Sequence, residues 1–376
     1  MERVVARIES IFTKLLVATL VAIAIFLSFP KAFADKFNTE TSEDARSLGM
    51  GNASINSGRG PYSVFYNPAN IAARETGTHF QPLNLQFELS EGSLGQASGG
   101  NSLNFQSLSS LYSGLKNSPN TFAGGRYSLY PNVTLRNFSF GMLYEVNQGA
   151  ILRSYDGALR VLARDRFSPT VALSERFASG IFRLGASVQL VTIGKADAVV
   201  PPPVPTAVAF APNVNSMSAL VFTGGTTITI PVRFLPSFSL VGRNLGNAKY
   251  SSAPVLVKFG DGRTAFTDPM MFDWGSSMTF ILARRLEMKL SLDYHDLTNK
   301  LDGGRFRHVF TGTELIAYDI LKLRAGLAHG YPSFGVGINT RRASLDFTAY
   351  ADEMDDRLRG AKEQRYVFQY TWELFN

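Results

Sequence analysis

Four histidines, His79, His295, His308 and His329, are the only imidazoles in this 376-residue chain, and no cysteine accompanies them. The lack of thiols excludes cysteine nucleophiles, cysteine metal sites and a disulfide framework. His295 stands directly before Asp296, the residue types of an imidazole base and its orienting carboxylate. On a strand, however, adjacent side chains point to opposite faces, which separates the two groups and leaves His295 as a polar lining residue. No Gly-x-Ser-x-Gly elbow, no His-Glu-x-x-His and no phosphate-cradling P-loop occurs. The sequence therefore reads as a non-enzyme with no cofactor and no bound metal.

The charged residues are ordered in another way. Glu145, Arg183, Lys289, Asp293, Lys322, Arg324, Asp346 and Glu373 all fall on the polar side of segments in which hydrophobicity alternates. Phe138, Phe140, Met142, Tyr144 and Val146 oppose Ser139, Gly141 and Glu145, with Leu143 the one apolar intrusion. Phe182, Leu184, Ala186, Val188 and Leu190 oppose Arg183, Gly185, Ser187 and Gln189. The same holds for Met288–Tyr294 against Lys289, Ser291, Asp293 and His295, for Leu321–Leu327 against Lys322 and Arg324, and for Leu345 and Phe347 against Asp346. At the C-terminus, Tyr366, Phe368, Tyr370, Trp372 and Leu374 oppose Gln369, Thr371 and Glu373. A period of two with one greasy face is the mark of a half-buried strand.

Alternation alone does not say which face is wet, because a soluble sandwich shows it too. Scale decides in favour of a membrane, since segments of about 9–12 residues match the span of a tilted membrane strand, and the N-terminus carries an export signal. Arg3, Arg7 and Lys14 precede an apolar run from Leu15 to Phe29, and Ala32-Phe33-Ala34 is a small-residue cleavage site. That run of 15 residues is short of the roughly 20 a spanning helix needs, so residues 1–34 read as a signal peptide and the mature chain as starting at Asp35. Cleavage removes four basic residues (Arg3, Arg7, Lys14, Lys31) and two acidic ones (Glu2, Glu9), leaving 33 against 28, a mild +5. This suits phosphate-bearing lipid and is too diffuse for nucleic acid. No later apolar run reaches helical spanning length, so a membrane-borne mature chain must cross as strands. The fold class expected is all-β: a transmembrane antiparallel barrel in which apolar faces meet lipid and polar faces meet the lumen.

Further strand candidates lie at 78–90, 122–134, 157–164, 170–178, 225–232, 237–244, 273–284, 306–316 and 333–341, bringing the number to about fifteen. Single-chain outer-membrane barrels have an even number, so fourteen strands are expected, with the surplus one upstream of about residue 170. Counting back from the C-terminus makes 195–222, 245–272, 298–305 and 352–363 long outer loops, and 284–287, 318–319 and 341–342 tight inner turns. Within the loops, Pro201-Pro-Pro-Val-Pro205 is a stiff extended segment, and Asp352–Arg359 is a charged, solvated stretch. Leu108, Leu111, Tyr112 and Leu115 share one face of a helix, either to catch a lipid-like ligand or to cover the barrel mouth.

Ahead of the first strand lie Asp44-Ala-Arg-Ser-Leu-Gly-Met-Gly-Asn-Ala53 and Val64-Phe-Tyr-Asn-Pro-Ala-Asn-Ile-Ala-Ala73. Gly49 and Gly51 permit a sharp or close-packed backbone, and Asn67-Pro68 is a helix start in which Asn caps free amides and Pro fills the first turn. Ala69–Arg74 then reads as a short helix. The Ala-Arg-Ser-Leu-Gly-Met-Gly element followed by Tyr-Asn-Pro-Ala-Asn resembles the start of the FadL-like outer-membrane proteins. That group includes long-chain fatty-acid and aromatic-hydrocarbon transporters of the FadL and TodX type, PorV-type barrels of a secretion system and TraF-type barrels of conjugal transfer. Leu240–Asn247 and Leu321–Leu327 are similar to segments of the PorV- and TraF-like branch. The resemblance implies that residues 35–76 form a hatch inside a barrel of residues 77–376, with Arg46, Gly49, Gly51, Asn67, Pro68 and Ala69 as its motif. At the C-terminus the chain departs from the outer-membrane pattern: the last in-phase residue is Asn376 and Phe375 is out of phase, which leaves Phe368, Tyr370, Trp372 and Leu374 to carry the assembly signal.

The resemblance implies passive passage of small hydrophobic compounds across the outer membrane of a Gram-negative bacterium. The alternative is a barrel that does not transport and serves as a scaffold for secretion or transfer proteins. The partners expected are outer-membrane lipid and lipopolysaccharide, the barrel assembly machinery, and a hydrophobic ligand or envelope proteins.

Overall fold

A computed structural model of the chain describes residues 42–58, 60–73, 77–98, 108–154, 157–202, 214–251, 256–262, 264–300, 305–353 and 362–374. Residues 1–34, expected as a signal peptide, Pro203–Pro205, residues 354–361, Phe375 and Asn376 lie outside them. The first described segment carries two short helices, α1 (Ala45–Gly49) and α2 (Ser63–Tyr66), and a 3-10 turn over Pro68–Ala73, where Ala69–Arg74 was expected as a helix. The strands follow. β1 (His79–Gln81) and β2 (Leu83–Ser90) are two parts of one wall position. After helices α3 (Glu91–Ser98) and α4 (Leu108–Leu115), β3 (Phe122–Leu129) and β4 (Asn132–Thr134) form the next.

The wall continues through β5 (Phe138–Leu152), β6 (Leu159–Phe177), β7 (Phe182–Val200), β8 (Asn215–Thr229) and β9 (Ser237–Arg243). A separate hairpin of β10 (Ala248–Tyr250) and β11 (Phe266–Asp268) intervenes. β12 (Met271–Ala283), β13 (Leu286–Tyr294), β14 (Val309–Ala317), β15 (Leu321–Ala328), β16 (Tyr331–Asn339), β17 (Ala343–Glu353) and β18 (Lys362–Trp372) complete it. β18 pairs with β2, and β5 pairs with β6, so the sheet closes into an antiparallel barrel of 14 strand positions.

The fifteenth candidate disappears upstream of residue 170. Segments 157–164 and 170–178 are one strand, β6, 19 residues long. Pro169 cannot donate to the ladder; pairing with β7 lapses after Phe167↔Thr192 and resumes at Thr170↔Gln189 in the same register. The sequence looks broken there, but the strand runs on because Pro169 still faces Met142 of β5.

Within the expected outer loop at 195–222, residues 195–200 and 215–222 are strand. β7 runs to Val200 and β8 starts at Asn215, the two pairing from Lys195↔Asn215 onward. Along β7 the inward face changes from Ser187 and Gln189 to Val191 and Ile193, all buried. The β10–β11 hairpin folds over this extension, and Ala248 and Tyr250 pack with Val191, Ile193, Met217, Ala219 and Val221 in a dry cluster. Within 245–272, which was also read as loop, this hairpin is real structure.

Elsewhere the faces fall as the alternation requires. Phe334 is 60 % exposed, Leu173 61 %, Phe347 50 % and Phe368 45 %, while Ser333, Ser174, Thr348 and Gln369 beside them are buried. An all-round belt of exposed apolar side chains over a polar interior is the inverse of a soluble protein, and it is the arrangement that acyl chains stabilise. Phe368 and Trp372 of β18 and Leu374 after it are exposed in this belt, and Tyr370 is half-buried on the same side. The turns at 284–285, 318–320 and 340–342 are short, as expected. They mark one end of the barrel, with the loops at the other.

Candidate functional site

The lumen holds the segment from Ser42 to Ala73, and its attachment begins with α1. Asp44 caps that helix, accepting a hydrogen bond from the Ser47 amide (3.0 Å). Two residues on, the Arg46 guanidinium lies side-on to Glu314 of β14: Nε donates to Oε1 (2.9 Å) and Nη2 to Oε2 (2.6 Å). Nη1 donates to the Ser57 carbonyl (3.0 Å), tying the segment to itself. Glu314 also accepts from Arg324 Nε (2.9 Å), and Arg324 Nη1 donates to Asp346 (2.6 Å). Burial opposes the charge on Arg46, yet the Glu314 carboxylate outweighs it and holds the Arg46 pKa above the ordinary arginine value. Two arginines and two carboxylates thus form a compensated buried row joining plug to wall.

Close backbone contact needs glycine on both sides. Gly51 has φ +61°, and a Cβ there would sit 2.5 Å from the Leu327 nitrogen and 2.7 Å from the Thr311 carbonyl oxygen. A Cβ on Gly312 would strike the Met50 backbone, and one on Gly326 the Gly51 nitrogen. Gly185 meets Pro68 and Ala69 in the same manner, and Gly225 meets the Asn67 side chain. The inward glycines of β7, β8, β14 and β15 are therefore seats for the plug, at the points where the motif residues touch the wall.

Asn67 is a hub as well as a cap. Its Oδ1 accepts from the Ala69 amide (3.1 Å), while Nδ2 donates to the Ile55 carbonyl (3.0 Å) and to Thr227 Oγ1 of β8 (3.1 Å). Pro68 follows as the first residue of the 3-10 turn, where its missing N–H costs nothing. Gln369 of β18 accepts from the Ala45 amide (2.8 Å), and Ser174 of β6 donates to the Ala69 carbonyl (3.1 Å).

The lumen charges divide into plug anchors and wall braces. Asp293 accepts from the Ile55 amide (2.7 Å) and Lys289 donates to the Ser57 carbonyl (3.1 Å), so both bind plug backbone. Arg324 and Asp346 pair with each other. Glu145 is 3.9 Å from Arg126, Arg183 donates to Thr229 Oγ1 (3.1 Å), and Glu373 bonds His79 near the short-turn end. His295 and Asp296 are not adjacent strand residues: β13 ends at Tyr294, and Asp296 has φ +55° in the turn that follows. Asp296 accepts from Thr298 Oγ1 (2.7 Å), and the His295 ring lies 4.3 Å from that of Phe310. Among the described residues no cluster of His, Cys, Asp and Glu is arranged to hold a metal.

Glu314 and the Glu88 cluster are among the groups that the sequence reading missed. Glu314 is the one charged residue of β14, and its inward parity with Gly312 was the available signal. The second group lies nearer the loop end. Glu88 accepts from Arg126 (2.6 Å), Arg365 (2.8 Å) and the Tyr350 hydroxyl (2.9 Å), and Arg365 also holds Glu363 (3.0 Å).

Between plug and wall lies an aromatic and aliphatic seam. Tyr62, Val64, Phe65, Tyr66 and Ile71 of the plug pack on Tyr130, Leu143 and Ala172 of the wall, all buried. Leu143, the intrusion on the polar face of β5, is thereby explained. Tyr130 occupies the break between β3 and β4, before Pro131, with its ring centroid 5.0 Å from Tyr62 and 5.2 Å from Phe65. At the mouth, Leu111 and Leu115 of α4 are fully buried against Ala123, Ala150, Leu152, Leu159 and Val161, so that helix covers the wall with its greasy face.

No protein-family model matches the sequence, and no curated protein does either. Similarity appears in three dimensions. The Pseudomonas putida toluene transporter TodX superimposes with a TM-score of 0.51 at 12 % identity, over 91 % of this chain and 99 % of that one. A TodX monoaromatic hydrocarbon channel lacking S2 gives 0.50 at 11 % identity, over 89 % and 99 %. A Pseudomonas aeruginosa FadL homologue gives 0.48 at 12 % identity, over 91 % and 99 %. A closed barrel of 14 strand positions, an apolar belt and the two TodX superpositions together show that the chain has the fold of that transporter barrel.

Proposed function

We propose that the protein is an outer-membrane channel for passive passage of small hydrophobic compounds, exported with a signal peptide cleaved after Ala34. The observation that carries this reading is the aromatic and aliphatic seam of Tyr62, Phe65, Tyr130 and Leu143, packed between plug and wall at the place where the wall strand breaks. A hydrophobic solute loses little on leaving lipid or a loop pocket for such a seam, whereas a polar lumen repels it. The likeness of the barrel to a toluene transporter supports the same class of solute. Residues 35–76 act as the hatch, which must yield locally along this seam for a solute to pass.

The test is uptake. Expression in a Gram-negative host with a tight outer membrane raises entry of a hydrophobic fluorescent probe, and Leu143→Asp removes the increase while leaving a heat-modifiable barrel. Probe entry that is the same with and without the inserted protein refutes passage and turns attention to the scaffold reading. Intact-mass measurement of the membrane-extracted protein checks that the mature chain starts at Asp35.

A further inference from the structure

The short-turn end of the barrel carries a set of charges that passage does not use. Arg136 lies between β4 and β5, Arg233 between β8 and β9, Arg284 and Arg285 between β12 and β13, and Arg341 and Arg342 between β16 and β17. All six are exposed. In an antiparallel ring these connections share one end, so the arginines form an arc around that rim. Among the described residues no lysine lies on a short turn.

Large apolar side chains stand between the arginines. Leu235 is 40 % exposed, Leu282 52 %, Tyr318 66 % and Ile320 54 %, and the Arg233 guanidinium lies 5.7 Å from the Phe234 ring centre. The exposed acids at this end are Glu175, whose carboxylate accepts from Asn137 (2.7 Å), and Asp319. The rim is therefore basic and greasy together. Water satisfies the first property and not the second; a dry protein contact would bury the charges.

The geometry points to an anionic phospholipid-binding rim, in which these arginines hold headgroup phosphates while the neighbouring apolar side chains sit at the edge of the acyl region. A planar guanidinium meets a phosphate through two parallel hydrogen bonds, which an ammonium cannot do, and the use of arginine alone on these turns fits that geometry. Interfacial apolar residues beside basic ones are the usual anchors at a bilayer surface. The inference rests on the barrel spanning a membrane and is independent of what passes through it, so a channel that transports nothing would bind lipid equally well.

The experiment is native mass spectrometry of the full-length barrel after exchange into micelles doped with equal amounts of phosphatidylglycerol and phosphatidylcholine. Wild-type protein retains phosphatidylglycerol preferentially. R284Q/R285Q/R341Q/R342Q loses that preference, at about fivefold in apparent affinity for each arginine removed, and the matching lysine variant recovers it only in part. Heat-modifiability reports that the barrel is intact; should the quadruple variant not insert, the pairs R284Q/R285Q and R341Q/R342Q are measured separately. Equal retention of the two lipids by the wild type, or undiminished selectivity in the glutamine variants, overturns the inference. So does recovery of an acidic envelope protein whose binding depends on these arginines while lipid retention does not.

Discussion

Arg46 of the plug and Glu314 of the barrel wall lie 268 residues apart in sequence and meet through two hydrogen bonds, of 2.9 and 2.6 Å. Glu314 is shared with Arg324, so its removal takes the bidentate carboxylate from Arg46 and leaves Arg324 with Asp346 alone. Glu314→Gln should release the plug, because breaking a buried pair by removing one partner costs about 3–5 kcal/mol. Single-channel recording checks this: the variant conducts small ions where the wild type is nearly closed, and the barrel still inserts.

Deleting residues 42–73 should have the larger effect of the same sign. The wall has its own closed ladder of hydrogen bonds, so the truncated protein remains a heat-modifiable barrel with raised conductance. Unchanged conductance would mean that the lumen is sealed by something other than this segment.

Gly326 faces the Gly51 nitrogen with no room for a Cβ. Gly326→Val should unseat the plug by overpacking, at about 1–3 kcal/mol, and show as faster tryptic cleavage within residues 42–73. Leu327→Val, one residue on and outward-facing, should leave the cleavage rate unchanged.

Asn67→Ala removes a cap and two further hydrogen bonds to Ile55 and Thr227. A loss of about 1–3 kcal/mol in plug attachment is expected, again read by proteolysis. Complete failure to insert would assign Asn67 to barrel folding and not to hatch docking.

Phe334 is 60 % exposed in the apolar belt. Phe334→Arg should lower barrel stability in bilayers by about 2–4 kcal/mol, the cost of a cation at the lipid midplane. Urea titration in liposomes measures it. A protein whose belt faced water would show almost no change.

The period-two alternation determined a great deal without help. It placed Glu145, Arg324 and Asp346 inside and Phe138, Phe347 and Phe368 outside, because on an extended chain the face of a residue follows from its parity alone. The Asn67-Pro68 cap was equally local and equally legible. Tertiary structure alone decided the partners. Lys289 and Asp293 read only as charges on a polar strand face, yet they bind the backbone of Ser57 and Ile55. Segments 157–164 and 170–178 read as two strands, but the neighbours on both sides carry β6 through Pro169 between them. Val191 and Ile193 turned a luminal face apolar because a hairpin some sixty residues away covers them. Parity is a property of one strand; register, ring closure and the fit of a plug against inward glycines arise only when distant strands are brought together, and no single segment encodes them.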